Sequence, residues 1–266
     1  MKKKDNKLFV IFVVLLVLLV LYSYFNKSKF TESKNYNDLN EVIDHIYYIN
    51  LENRTDRKEQ MLSEINKVGL LGKTSRINAV YEKGRGHLGC TKSHILALEE
   101  FIKSGYNNCI IFEDDFKFID DISIVKNTIL KLFNQNVKYD VCMLAIGESI
   151  TFAYDVNDYD NFIPYDFIKK SLCTFTGAGY LITKEFAPKL LQNFKESVVL
   201  LKEEYDKYSY MNINDLNDSL KYQLDQHWCR LQPVSKWYVF NPVLGYQHGS
   251  QSDIDTRKIV DIWRYY

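Results

Sequence analysis

The sequence predicts an α/β domain with a largely parallel central sheet. Short β-branched and aromatic runs alternate with segments of helical periodicity, the pattern of successive β-α-β units. One of those runs, Cys109-Ile110-Ile111-Phe112, is wholly apolar and stops abruptly at Glu113-Asp114-Asp115, as a buried strand does when its C-terminal end emerges into a cleft. The bulk composition agrees: 266 residues, 46% hydrophobic and 26% charged, suit one large core or two small ones.

The elements follow in order. His45 to Leu51 reads as a first strand. Asp56, with Glu59 three residues on, reads as a capping box for a helix carrying Met61, Leu62, Ile65 and Val68 at helical spacing. Arg76 to Tyr81 is a second short strand. A glycine-rich turn, Gly84 to Gly89, leads into a helix from about Thr91 to Lys103. The run 109–112 is the third strand, followed by a helix near 122–134 and a strand from Tyr139 to Ala145. Beyond this, Thr176 to Ile182 reads as a strand, Lys184 to Phe194 as an amphipathic helix, 203–219 as a polar, tyrosine-rich surface or lid segment, Lys221 to Trp228 as a helix and Trp237 to Phe240 as a strand. The tail from Gln247 to Ile254 is polar.

Before the domain, Leu8 to Leu21 is an unbroken apolar run of 14 residues, extended by Tyr22 to Phe25 and preceded by Lys2, Lys3, Lys4 and Lys7. A membrane span needs about 17–25 apolar residues, so residues 8–25 suffice. A cleaved signal peptide is the competing reading, but small residues of the A-x-A kind are missing after the run. The tyrosines resemble an interfacial belt. The expectation is an uncleaved transmembrane anchor over 8–25 behind a cytoplasmic tail, 1–7. A polar stem, 26–43, and a folded domain, 44–266, then lie on the luminal or external side.

Net charge is zero, 34 basic against 34 acidic residues, so no global field recruits nucleic acid. The five cysteines, 90, 109, 142, 173 and 229, show no C-x-x-C or zinc spacing. Cys109 and Cys142 read as buried thiols, and one disulfide stays open. Sequons occur at Asn26, Asn53 and Asn217.

Carboxylates crowded at a strand end repel one another unless a cation neutralises them, and an oxygen-rich site suits Mg²⁺ or Mn²⁺ shared with a substrate diphosphate. Acids also cap strands and open turns, so the triplet alone leaves both readings open. Four segments taken together narrow the choice: Tyr48-Ile49-Asn50-Leu51 with Arg54 and Arg57; Gly86-His87-Leu88-Gly89-Cys90 with Ser93-His94; Ile111-Phe112-Glu113-Asp114-Asp115; and Gln247 with Ser252-Asp253-Ile254. In this order they resemble glycosyltransferase family 25, which includes bacterial lipooligosaccharide galactosyltransferases and the galactosyltransferases that modify collagen hydroxylysine. The resemblance runs from about 44 to 254.

It implies a GT-A-type fold, a UDP-sugar donor (galactose or glucose), a divalent metal and an acidic D-x-D-like motif, here with Glu first. Glu113 and Asp115 are then the metal ligands, with Asp114 beside them at the nucleotide and Asp115 catalytic through the metal. His248 is the candidate third ligand, with His227 behind it; a histidine on a surface loop is the plain alternative. Asn50 and Leu51, at the end of the first strand, would face the nucleotide. Arg54 and Arg57 would fork onto phosphate or ribose oxygens, unless they simply salt-bridge a helix start. A glycan on Asn53 would crowd that site, so the asparagine is expected to stay unmodified; full occupancy by mass spectrometry would move the nucleotide pocket elsewhere. Ser93 and His94, near a helix start, could hold donor or acceptor, or be structural.

The family is regarded as inverting, which needs one base for the acceptor hydroxyl. Asp225 is the candidate, with Trp228 as a sugar platform; Asp253 and Asp218 are alternatives. The acceptor would be a glycan, a lipid-linked saccharide or a hydroxylated protein side chain. Three rival readings are an iron hydroxylase, for which no His-x-Asp exists; a metal-dependent phosphatase, for which no nucleophilic Asp follows the first strand; and a catalytically silent member serving as a carbohydrate- or protein-binding module.

Overall fold

The computed structural model describes residues 35–147 and 165–249. The expected anchor, the alternative base Asp253 and the motif residues 252–254 lie outside these ranges. Among the described residues no helix is long and apolar enough to cross a membrane.

Seven strands form the central sheet: β1 (His45–Asn50), β2 (Thr74–Asn78), β3 (Asn108–Glu113), β5 (Val141–Met143), β6 (Ile168–Lys170), β7 (Gly179–Thr183) and β8 (Trp237–Phe240). Their order is β2-β1-β3-β7-β5-β8-β6. β1 runs parallel to β2 and β3, and β5 to β8, while β7 and β6 are antiparallel to their neighbours. Five of the seven strands therefore share one direction. The largely parallel sheet expected is thus present, with β7 and β6 as its two reversed strands. A two-stranded ribbon pairs β4 (Phe116–Phe118) with β9 (Gly245–Gln247) at the sheet's edge.

Alternation along the strands divides the core in two. Ile110 and Phe112 of β3 face one side, with Met61 and Ile65 of helix α1 (Thr55–Lys67) and Val125, Ile129 and Leu132 of α3 (Ile122–Asn134). Cys109 and Ile111 face the other, with Ala97, Leu98 and Phe101 of α2 (Gly86–Ser104) and Leu190 and Phe194 of α4 (Ala187–Lys207). The chain thus leaves β1 over one face, through α1, and returns to β3 over the other, through α2. Such a reversal opens a crevice at the C-terminal ends of the strands between which it occurs. Here those ends are Asn50 and Glu113.

Several boundaries differ from expectation. α2 begins at Gly86, not near Thr91, because residues 86–89 wind into the helix; of the two glycine-turn ends only Gly84, at φ +69°, keeps a left-handed turn. α1 has Arg54 at its N-cap with no side-chain cap, since Asp56 is drawn to the Arg54 guanidinium at 3.0 Å; the expected capping box is absent. A capping box does form earlier, Asp38 with Glu41, and Leu39, Val42 and Ile43 are buried, so the end of the expected stem belongs to the folded unit. The strand expected over 139–145 is paired only at Val141–Met143, and β7 starts at Gly179, after Thr176 at φ +82°. α4 runs on to Lys207, and α5 (Ile213–Ser219) follows, so the expected lid segment is largely helical. Leu201 and Tyr205 of α4 pack with Leu216 and Leu88. The helix expected over 221–228 is one turn, α6 (Leu224–His227), continued as a 3₁₀ turn from Trp228.

Cys109 and Cys142 are buried free thiols, as expected, and Cys173 is bonded to Cys229 across 56 residues. That bridge ties the segment before β7 to the turn after α6. Closing a loop of this length stabilises by about 4 kcal/mol on a chain-entropy account. Cys229→Ser is expected to lower the urea midpoint accordingly and to steepen the denaturant slope, because the unlinked chain exposes more surface when it unfolds.

Candidate active site

The crevice at the ends of β1 and β3 is lined by Asn50, Leu51, Arg57, Tyr81, Cys90, Ser93, Glu113, Asp114, Asp115 and Gln247. The parallel β1–β3 register sets Ile49 against Glu113, which brings the residues after both strands to one edge.

The three acids have three different surroundings. Asp114 is buried and accepts from the Asn50 amide at 2.7 Å and from Arg57 Nη1 at 2.9 Å. Burial outweighs those partners and pushes its carboxyl up from the usual range, with Glu113 adding to the effect. Glu113 accepts from Cys90 Sγ at 3.4 Å and lies 3.0 Å from His94 Nε2, whose other ring nitrogen is 3.0 Å from the Tyr180 hydroxyl. Burial opposes its charge, but His94, the thiol and Arg57 together hold its carboxyl below the usual range. Asp115 accepts from the Gln247 amide at 3.1 Å through Oδ2, and Arg57 stands 3.7 Å from the same oxygen. Its Oδ1 is buried with no hydrogen-bond partner. Burial, with the neighbouring Glu113 charge, pushes this carboxyl up to about 7.

A buried carboxylate oxygen left without a donor beside two other acids is the kind of atom a hard divalent cation satisfies. Asp115 therefore fits a metal ligand well. Glu113 is already engaged by His94 and Cys90. His248 is brought beside Asp115 by its backbone N–H, which donates to the Asp115 carbonyl at 2.7 Å, and the β4–β9 ribbon fixes that approach.

Asp225 lies at the start of α6, partly buried, and accepts from the Thr176 N–H at 2.9 Å. Burial pushes its carboxyl up; the Thr176 N–H opposes this and the Glu113 charge adds to it, which places the two acids in one electrostatic neighbourhood. Trp228 is wholly buried and donates its indole N–H to the Thr174 carbonyl at 2.8 Å, so it is a core residue and not the expected sugar platform. Ser93 and His94 stand two turns inside α2, so the helix-terminus role expected of them does not apply. Ser93 Oγ accepts from the Val80 N–H at 2.8 Å and donates to the Gly89 carbonyl at 2.7 Å, tying the helix to the end of β2. Arg54 pairs with Asp56. Asn53 is exposed, next to the crevice, whereas the sequon at Asn217 is buried.

Reasoning from sequence missed Cys90 and Gln247 as site residues. Cys90 and His94 are four apart on a helix, a signal that could have joined them; Gln247 reaches Asp115 only through the ribbon.

Fold and site define an α/β domain with a crevice at the switch point of a mostly parallel sheet, over a buried acidic strand end. The family model described as glycosyltransferase family 25 (LPS biosynthesis protein) matches residues 70–208, about half of the chain. The chain belongs to glycosyltransferase family 25. A "Glycosyltransferase 25 family member" from Anopheles gambiae is 26% identical over 188 residues, which is 61% of this chain and 31% of that protein; the chain thus spans about a third of the length of this relative. Among solved structures, a protein from STIV aligns with a TM-score of 0.40 at 11% identity, covering 79% of this chain and 87% of that one. The mannose-1-phosphate geranyltransferase from Thermus thermophilus aligns with a TM-score of 0.38 at 9% identity, covering 74% and 72%. At these scores neither neighbour bears on the chemistry of this chain.

Proposed function

We propose that this chain is a metal-dependent GT-A-type hexosyltransferase. It would move galactose or glucose from a UDP-sugar to a hydroxyl of a glycan, a lipid-linked saccharide or a protein side chain, with inversion. Family membership supports the transferase class, and the unpartnered Asp115 oxygen at the switch-point crevice is the observation that carries the metal dependence. Mn²⁺ or Mg²⁺, when bound there, supplies charge neutralisation for the leaving diphosphate. Asp115 would hold it, with His248 and, through Oε2 because Oε1 meets Cys90 and His94, Glu113 as further candidates. Asn50 and Leu51 form the wall that the nucleotide meets. Arg57, locked to Asp114, gives a fixed positive charge under the phosphates rather than a mobile fork.

Asp225 would take the acceptor proton. Burial raises its carboxyl, which makes its carboxylate a stronger base than that of an exposed aspartate. Asp225→Asn is expected to lower kcat by about 10²–10⁴-fold with donor affinity unchanged; near-normal turnover rules it out as the base. The Cys173–Cys229 disulfide supports an oxidising compartment, consistent with a single-pass protein anchored by residues 8–25, its N-terminus cytoplasmic and its domain luminal or external.

The test is donor hydrolysis by the purified full-length chain over a panel of UDP- and GDP-sugars, with Mn²⁺, Mg²⁺ or chelator. Metal-dependent release of UDP from one donor is the expected result. Silence on every donor, with no thermal stabilisation by UDP and Mn²⁺, would leave a binding module instead.

A further inference from the structure

Beside Asp115 a second donor set forms part of the crevice wall. Cys90 Sγ, His94 Nε2 and Glu113 Oε1 all lie within 4.8 Å of one another. Cys90 and His94 are one helical turn apart on α2 and so share a face; Glu113 meets them from the end of β3. His94 is fully buried, and its second nitrogen is held by the Tyr180 hydroxyl at 3.0 Å, which leaves Nε2 turned toward Glu113. Outer hydrogen bonds of this kind orient the imidazole of metal sites. The space in front of the donors is kept open by a glycine: a Cβ on Gly177 would stand 2.8 Å from Glu113 Oε1 and 3.0 Å from His94 Nε2.

Sulfur and imidazole donors select a different ion from the all-oxygen surroundings of Asp115. A thiolate, an imidazole and a carboxylate suit Zn²⁺, and three protein donors leave a fourth position for water or a ligand. We infer that Cys90, His94 and Glu113 form a Zn²⁺-binding site in the wall of the crevice. On binding, the Cys90 thiol loses its proton to solvent and its sulfur bonds the ion; no oxidation or reduction is involved. Neither the donor geometry nor its test depends on the transfer reaction.

Cys90 is also the thiol open to a reagent, since Cys109 and Cys142 are fully buried and Cys173 and Cys229 are joined. Alkylation of the metal-free, full-length protein by iodoacetamide, followed by intact mass, therefore reads the site in the wild type. Zn²⁺ at ten times its Kd is expected to slow labelling about tenfold by mass action, and Asp115→Ala to keep that protection. Tyr180→Phe, which releases the imidazole, is expected to weaken Zn²⁺ about tenfold or more. Equal labelling rates with and without Zn²⁺ overturn the site, and equal protection by Mn²⁺ overturns its soft-donor character. Co²⁺ provides a second reading: a thiolate-to-cobalt charge-transfer band is expected in the wild type and not in Cys90→Ser, and its survival in that variant overturns the assignment of the sulfur.

Discussion

Asp114→Ala is expected to destabilise the domain by about 3 kcal/mol, the largest loss from any single side chain at the site. Asp114 joins three elements: its own strand end after β3, Asn50 at the end of β1, and Arg57 in the first turns of α1. Arg57 is only 9% exposed, and its guanidinium lies 2.9 Å from Asp114 and 3.7 Å from Asp115. The intact pair is not itself a large source of stability, because burial raises the Asp114 carboxyl in spite of its partners. Removing one member is another matter, since it strands a buried guanidinium, and breaking such pairs typically costs about 3–5 kcal/mol. Asp115 compensates in part, hence the lower end of that range. Asp114→Asn keeps an acceptor for Arg57 and is expected to cost less than the alanine variant. Urea unfolding followed by circular dichroism measures both. A loss below about 1 kcal/mol for alanine would mean that Arg57 simply swings to Asp115.

Much of this site was legible because its parts are local. The apolar run into Glu113-Asp114-Asp115, the strand from His45 and the helix at 122–134 carry their own periodicity, and they fall where the pattern puts them. Elements that depend on distant partners did not announce themselves. Gly86 and Gly89 read as a turn, yet both lie within α2; a Cβ on Gly89 would come 2.5 Å from the Val80 carbonyl oxygen, so that glycine permits a close approach, not a bend. The polar, tyrosine-rich stretch 203–219 reads as surface, but its Tyr205 and Leu216 are buried with Leu201 and with Leu88 from α2. Strand direction has no periodic signature either, so the reversal of β7 between β3 and β5 could not be read. The roles within the triplet were the least accessible. Alternation along one strand cannot say that Asp114 would find Arg57, 57 positions earlier, while Asp115 keeps one oxygen bare.

That bare oxygen makes Asp115→Asn the most informative substitution, because stability and activity should move in opposite directions. In the unfolded chain Asp115 titrates near 3.8; in the folded protein burial and Glu113 raise it to about 7. Between those values the native state holds a proton that the unfolded state has lost, so stability is full below about pH 4 and falls as pH rises through 7. The drop is roughly 4 kcal/mol at most, and less once the site relaxes. Asparagine carries no charge to desolvate and can keep a hydrogen bond to Gln247. Chelator-treated Asp115→Asn should therefore match the wild type near pH 4 and exceed it by about 2 kcal/mol at pH 8. Metal added to the wild type should recover the same deficit, since an ion that binds only the folded state stabilises it, and should leave the variant unmoved. Metal-dependent transfer is expected to fall by about 10³-fold or more, the loss of several kcal/mol of charge stabilisation. Thermal unfolding of both proteins at pH 4 and pH 8, with and without Mn²⁺, separates the outcomes. A variant less stable than the wild type at pH 8 would show that Asp115 is already compensated by Arg57 and has no need of a cation.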